Sequence, residues 1–151
     1  EVGGTLDVFE EYAAGLKDIQ EFEYLVLLTH LHQATEKLEV VPFMDTQSHG
    51  VFATRSPARP NRIGLSIVRL VSVEGRRLHF VGNDMLDGTP VLDIKPYVPA
   101  LDVRHTEHAR QQPHRKYRAA QPQQYRQPQP QPLALAQALP YKQADVERQY
   151  P

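Results

Sequence analysis

The sequence predicts a mainly β protein: a small barrel or open sheet with one short helix near its start and a polar tail behind it. Three observations lead there. Apolar residues alternate along Leu65–Val73 and again at Leu78 and Phe80, with Glu74-Gly75 between them, which is the pattern of a hairpin. Phe9, Tyr12, Ala13 and Leu16 recur at i, i+3, i+4 and i+7, one face of a short helix. Residues 101–151 hold eleven Gln and seven Pro and few β-branched or aromatic residues, so they cannot bury enough surface to offset chain entropy.

The elements follow in order. The helix over 9–16 ends at Gly15 and the Lys17-Asp18 turn. Tyr24–His32 is rich in Leu and Val and reads as a strand buried on both faces. Residues 34–49 are polar and irregular, with breakers at Pro42 and His49-Gly50. After the hairpin, Asp87-Gly88 marks another turn and Val91–Lys95 a further short strand. From about Arg104 the chain is of low complexity, with a polyproline-like stretch at 121–132. Leu133–Leu139 is the one segment there that could form two helical turns. The expected division is therefore a folded domain over 1–103 and a disordered Gln/Pro-rich tail over 104–151.

Composition narrows the function classes. The 151 residues suffice for one domain with a core. Residues 1–100 carry nine Lys/Arg against fourteen Asp/Glu, whereas residues 101–151 carry eight against four. A polyanion would have to meet local basic loops or the tail. No cysteine is present, which removes disulfides, thiolate metal sites and a cysteine nucleophile and suits a reducing cytoplasm. The longest apolar run is Tyr24–Leu28, far too short to span a bilayer, so no membrane partner is expected.

Residues 50–66 are the densest in chemistry. Arg55, Arg59 and Arg62 sit at spacings of four and three in a loop stiffened by Pro57 and Pro60. Guanidinium forks match carboxylates and phosphates, so the loop reads as an anion binder; the bland reading is a solvated loop with salt bridges. Leu86-Asp-Gly-Thr89 is an ordinary turn signal on its own, although Gly88 permits a close backbone approach and Asp87 can accept from hydroxyls or attract a cation. His30 and His32 would share a strand face, but no third ligand has suitable spacing, so no metal is expected. Asp93, Lys95 and Tyr97 alternate along one face; the first two suggest a surface ion pair, and a tyrosine there could stack on a splayed base.

Two blocks also carry a resemblance. Gly50-Val-Phe-Ala-Thr-Arg-Ser-Pro-Ala-Arg-Pro-Asn-Arg-Ile-Gly-Leu-Ser66 followed by Leu86-Asp-Gly-Thr-Pro-Val-Leu-Asp-Ile-Lys-Pro-Tyr97 resembles the TsaA/TrmO family. Phe9–Leu16 and Leu31-His-Gln33 extend the likeness more loosely, over roughly residues 4–99. The family comprises S-adenosylmethionine-dependent tRNA methyltransferases on a small β-barrel, acting as homodimers. The resemblance implies S-adenosyl-L-methionine as cofactor and tRNA as partner. It implies methylation of the exocyclic nitrogen of threonylcarbamoyladenosine beside the anticodon. By the same resemblance His32, Gln33, Arg55, Leu65, Leu86, Asp87, Gly88 and Thr89 contact the cofactor. That leaves Arg59, Arg62, Lys95 and Tyr97 for RNA. Asp87, Asp93 and His32 remain alternatives for a general base. The family's opening strand and arginine loop precede the point where this chain begins. The resemblance therefore implies a missing strand, two open sheet edges and weak activity. The alternatives are a barrel that binds an adenosyl ligand without chemistry, or an interaction module working through the basic tail.

Overall fold

The computed structural model describes residues 2–105 and the backbone of residues 136–139. Its strands are β1 (Gly3–Val8), β2 (Tyr24–His30), β3 (Glu39–Val40), β4 (His49–Gly50), β5 (Ile63–Glu74), β6 (Arg77–Val81), β7 (Pro90–Pro96) and β8 (Ala136–Leu139), with one helical turn, α1 (Pro99–Asp102). The mainly β expectation holds. β1 was passed over in the sequence, because Gly3, Gly4, Thr5 and Asp7 dilute its alternation; only Leu6 and Val8 point to the core. The expected helix is a 3₁₀ helix, Glu10–Leu16, followed by another at Ile19–Glu21. Tyr12, Leu16 and Ile19 pack on the core, and Phe9 stays largely outside.

Strand order is β1-β6-β5-β2-β7-β8, antiparallel throughout, with β3 and β4 a separate two-residue pairing. The five strands of residues 1–103 form an open sheet, not a closed barrel, with β1 and β7 at its edges. Among the described residues only β8 joins those edges, opposite Thr5–Val8 on one side and Pro90–Val91 on the other. This corrects two expectations. The edges are not left open, and Ala136–Leu139 is a strand rather than helical turns in a disordered tail. Two ladders supply its backbone with partners, which overrides the helical preference of its alanines. The remaining expectations for the tail, at 106–135 and 140–151, lie outside the described residues.

The core is Leu6, Val8, Leu25, Leu27, Val68, Leu78, Phe80 and Val91, drawn from every long strand. β2 is not buried on both faces: Leu25, Leu27 and Thr29 point inward, and Val26 and Leu28 are half-exposed. Those two lie opposite Ile67 and Leu65 of β5, both nearly half exposed, so an apolar stripe runs along the outer face. Two one-residue bulges break strict alternation. Val71 is the extra residue where β5 passes β6, and Leu92 where β7 passes β2. Each lets residues three apart face the core, Leu70 with Val73 and Val91 with Ile94.

Candidate functional site

The antiparallel ladder brings three chain segments to one end of the sheet. Thr29, near the end of β2, sits opposite Gly64 on β5 and Val91 on β7. Adjacent strands lie about 4.8 Å apart, so this row is about 10 Å wide. Immediately past Thr29 comes His32-Gln33; before Gly64 comes the arginine loop; before Val91 comes the Leu86–Thr89 turn. All eight residues expected at the cofactor thus belong to this end.

The turn is closed twice by Thr89. Its backbone N–H donates to the Leu86 carbonyl at 3.2 Å and its hydroxyl to the same oxygen at 2.6 Å. Gly88, at φ 77°, supplies the left-handed third position that this turn requires. Leu86 and Asp87 project into solvent and Thr89 is buried. Beside the turn, Ser66 on β5 donates its hydroxyl to Asp84 Oδ1 at 2.5 Å, and the Gly82 and Asn83 amides both donate to the Val2 carbonyl at 3.0 Å. Sequence reading missed Asp84; its signal was an acid at the mouth of a turn with a serine on the facing strand.

The arginine loop is ordered from within. Arg59 Nη1 donates to the carbonyls of Thr54 at 2.8 Å, Val51 at 3.1 Å and Ser56 at 3.3 Å, and its guanidinium lies 6.0 Å from the exposed Phe52 ring. Arg62 Nη1 donates to the Ala34 carbonyl at 3.2 Å, and the Leu31 amide donates to the Arg62 carbonyl at 2.8 Å. The loop is thereby pinned to the segment holding His32 and Gln33. Asn61 and Arg62 both have left-handed backbones, φ 62° and 52°. Arginine in that region costs about 1–2 kcal/mol, strain of a kind that collects at functional sites. Arg55 is exposed and its Nη2 reaches the Leu65 carbonyl at 3.4 Å, so those two expected cofactor residues meet.

Only His30 of the histidine pair lies in β2; His32 stands beyond its end, with ring centres 6.3 Å apart. Gln33 Nε2 approaches His32 Nε2 at 3.4 Å. His32 Nδ1, His30 Nδ1 and Thr29 Oγ1 are buried with no hydrogen-bond partner among the described residues. Burial first, then the Arg62 charge and then His32, push the His30 pKa below its usual 6.5, which favours the neutral ring. Among the described residues no three His, Asp or Glu side chains group as metal ligands, and no helix is long and apolar enough to cross a membrane.

Lys95 and Tyr97 are not brought to this cluster. Tyr97 lies six positions beyond Val91, roughly 20 Å along the chain. Lys95 pairs with Asp93 at 2.7 Å, and Tyr97 meets the Tyr24 ring edge-on at 6.3 Å. They lie on the outer face that carries the apolar stripe, because Lys95 is opposite Val26 and Asp93 opposite Leu28.

Fold and site together define a small, mainly β domain whose loops crowd one sheet end. Residues 1–103 match the tRNA-methyltransferase O N-terminal domain, and the chain belongs to that family. It is 56% identical over 105 residues to a Pyrococcus abyssi protein described as a probable S-adenosyl-L-methionine-binding protein, covering 69% of this chain and 57% of that one. It is 41% identical over 100 residues to the mouse tRNA (adenine(37)-N6)-methyltransferase, covering 64% of this chain and 23% of that one. A crystal structure of TrmO from Pseudomonas aeruginosa superposes with a TM-score of 0.57 at 42% identity, covering 72% of this chain and 46% of the other. The chain thus spans about half the length, or less, of these relatives.

Proposed function

We propose that this chain is the S-adenosyl-L-methionine-binding domain of a cytoplasmic tRNA methyltransferase acting on the exocyclic nitrogen of threonylcarbamoyladenosine beside the anticodon. The observation that carries the reading is the convergence of the arginine loop, His32-Gln33 and the Leu86–Thr89 turn at one sheet end, in a chain of this family. The names of the mouse and Pyrococcus relatives supply the methyltransferase chemistry and the ligand.

The residues suit that ligand. Arg55 is exposed enough to meet a carboxylate and Asp87 to face a cationic centre or ribose hydroxyls, and the unpartnered His32 Nδ1 offers a further polar contact. Gly88 lets a ligand lie against the turn's backbone. S-adenosylmethionine, when bound, supplies an electrophilic methyl group, so the protein's main work is to hold the nucleophile in line with it. Methyl transfer forms a nitrogen–carbon bond and breaks the sulfur–carbon bond, and the nitrogen's proton passes to a base. Asp87 and His32 stand at the cluster for that role; Asp93 is engaged by Lys95. Arg59 and Arg62, once anchored internally, leave their remaining N–H groups for RNA phosphate, with Lys95 and Tyr97 on the outer face.

We read residues 1–103 as the cofactor domain and 104–151 as an extension. The apolar stripe of Val26, Leu28, Leu65 and Ile67 supports a homodimer, because Leu65 belongs both to the site and to that stripe. The test is calorimetric titration of the full chain with S-adenosylmethionine, then methyl transfer to tRNA with and without threonylcarbamoyladenosine. Transfer to the modified tRNA alone supports the reading. Binding without transfer to either leaves an adenosyl-ligand binder, and transfer to both removes the threonylcarbamoyl requirement.

A further inference from the structure

We propose that the gap between β1 and β7 is a strand-accepting slot, filled by Ala136–Leu139 of the same chain, and that filling it holds the Leu86–Thr89 turn in its ligand-binding shape. The ligand half of this inference rests on the function proposed above.

The slot is one strand wide, because β8 pairs with both edges: Thr5, Leu6, Asp7 and Val8 on β1, Pro90 and Val91 on β7. Ala136 and Gln137 are paired on both sides, Ala136 with Val8 and Val91 and Gln137 with Asp7 and Pro90. β2 pairs with β7 only from Val91 onward, so Gln137 is the ladder neighbour of Pro90 among the described residues. Pro90 directly follows Thr89, whose amide and hydroxyl close the turn. β8 therefore buttresses the end of β7 that leads out of the cofactor turn. Its sequence, Ala-Gln-Ala-Leu, has weak strand preference, so the slot and not local propensity makes it a strand. A strand held by its surroundings alone is poised between seated and released. Release would expose two unpaired edges and free the start of β7.

The test uses the full chain with Gln137→Pro, which removes a ladder donor and breaks the strand, beside Gln137→Val, which keeps it. Amide hydrogen exchange in the absence of ligand is read at Thr5 and Asp7, which alternate with the Val8 amide that donates to Arg76 on the β6 side, and at Thr89 and Val91, and S-adenosylmethionine affinity by calorimetry. Gln137→Pro should speed exchange at each of these and weaken affinity by about tenfold, within the usual range of coupling between sites; Gln137→Val should match the parent in both. Unchanged exchange at Thr5 and Asp7 in Gln137→Pro overturns the slot. Faster exchange there with Thr89 and ligand affinity unchanged overturns the link to the turn. Loss in both variants overturns backbone reading of the strand, and protection that rises with protein concentration overturns a same-chain occupant. If the parent chain fails to bind S-adenosylmethionine, the proposed function falls, and Thr89 exchange alone decides this inference.

Discussion

Gly64 stands where the site meets the core, and adding one methyl there is a sharp probe of that junction. A Cβ at Gly64 would fall 2.5 Å from Thr29 Oγ1 and 3.0 Å from Leu31 Cδ2. Ordinary contact needs about 3.4 Å or more, so the hydroxyl must retreat by about 0.9 Å inside a ladder where Gly64 and Thr29 are directly opposed. Overpacking of this kind costs about 1–3 kcal/mol, offset by about 0.4–1 kcal/mol from the stiffer unfolded chain. Gly64→Ala should therefore destabilise the protein by about 1–2 kcal/mol. Thr29→Ala should cost little, because the hydroxyl it deletes is buried without a partner. In that background the worst contact is gone and only the flexible Leu31 side chain, at 3.0 Å, must give way, so Gly64→Ala should cost clearly less than in the parent. The two sites should couple by about 1–3 kcal/mol in a double-mutant cycle read by urea unfolding. Equal costs of Gly64→Ala in both backgrounds would refute Thr29 as the obstacle and, with it, the register that places Gly64 beside the end of β2.

Arg59→Ala should lower stability by about 1.5–3 kcal/mol, since one guanidinium nitrogen serves three loop carbonyls; an unchanged melting curve with weakened tRNA binding would instead assign Arg59 wholly to RNA. Arg55→Ala should leave the melting curve in place and weaken S-adenosylmethionine binding by about 1.5–3 kcal/mol, the worth of a charge-assisted pair; normal calorimetric affinity would remove Arg55 from the site. The depressed His30 pKa means that the unfolded chain takes up a proton near pH 6.5 while the folded chain resists it. Stability should therefore fall as pH drops below 6.5, by at most about 1.4 kcal/mol per pH unit, and His30→Phe should flatten that slope in urea titrations from pH 7.5 to 5.5.

The turns were more legible than the strand partners. Turn chemistry is local: Gly88, Pro57 and Pro60 announce their backbone needs in the sequence, and the segments they organise do converge. The hairpin from β5 to β6 was legible because Gly75, at φ 60°, forces the turn. What escaped was set by partners distant in sequence. β1 carries only two core residues and exists because β6 pairs with it from Gly3 to Asp7. β8 lies more than a hundred residues from β1, with a composition that favours helix. Arg59 and Arg62 read as free cations because nothing in their spacing shows that carbonyls at Thr54 and Ala34 wait for them. The apolar run of β2 misled for a third reason. Hydrophobicity on its outer face reads in sequence as burial within the domain, whereas Val26 and Leu28 there are only partly covered, beside the exposed Leu65 and Ile67.

The extra residue Leu92 acts as a phase slip in β7. Before it, Val91 is in phase with the core and continues the turn at Leu86–Thr89; after it, Asp93 and Lys95 are in phase with the outer face and Ile94 with the core. One seven-residue strand therefore carries two independent alternations. Substitutions on either side of Leu92 can reshape the ligand end or the outer face without disturbing the other. Deleting Leu92 would fuse the two phases. Either Asp93 and Lys95 would turn inward against Leu27, or the whole turn would be drawn about 3.3 Å along the sheet, out of line with His32 and Arg55.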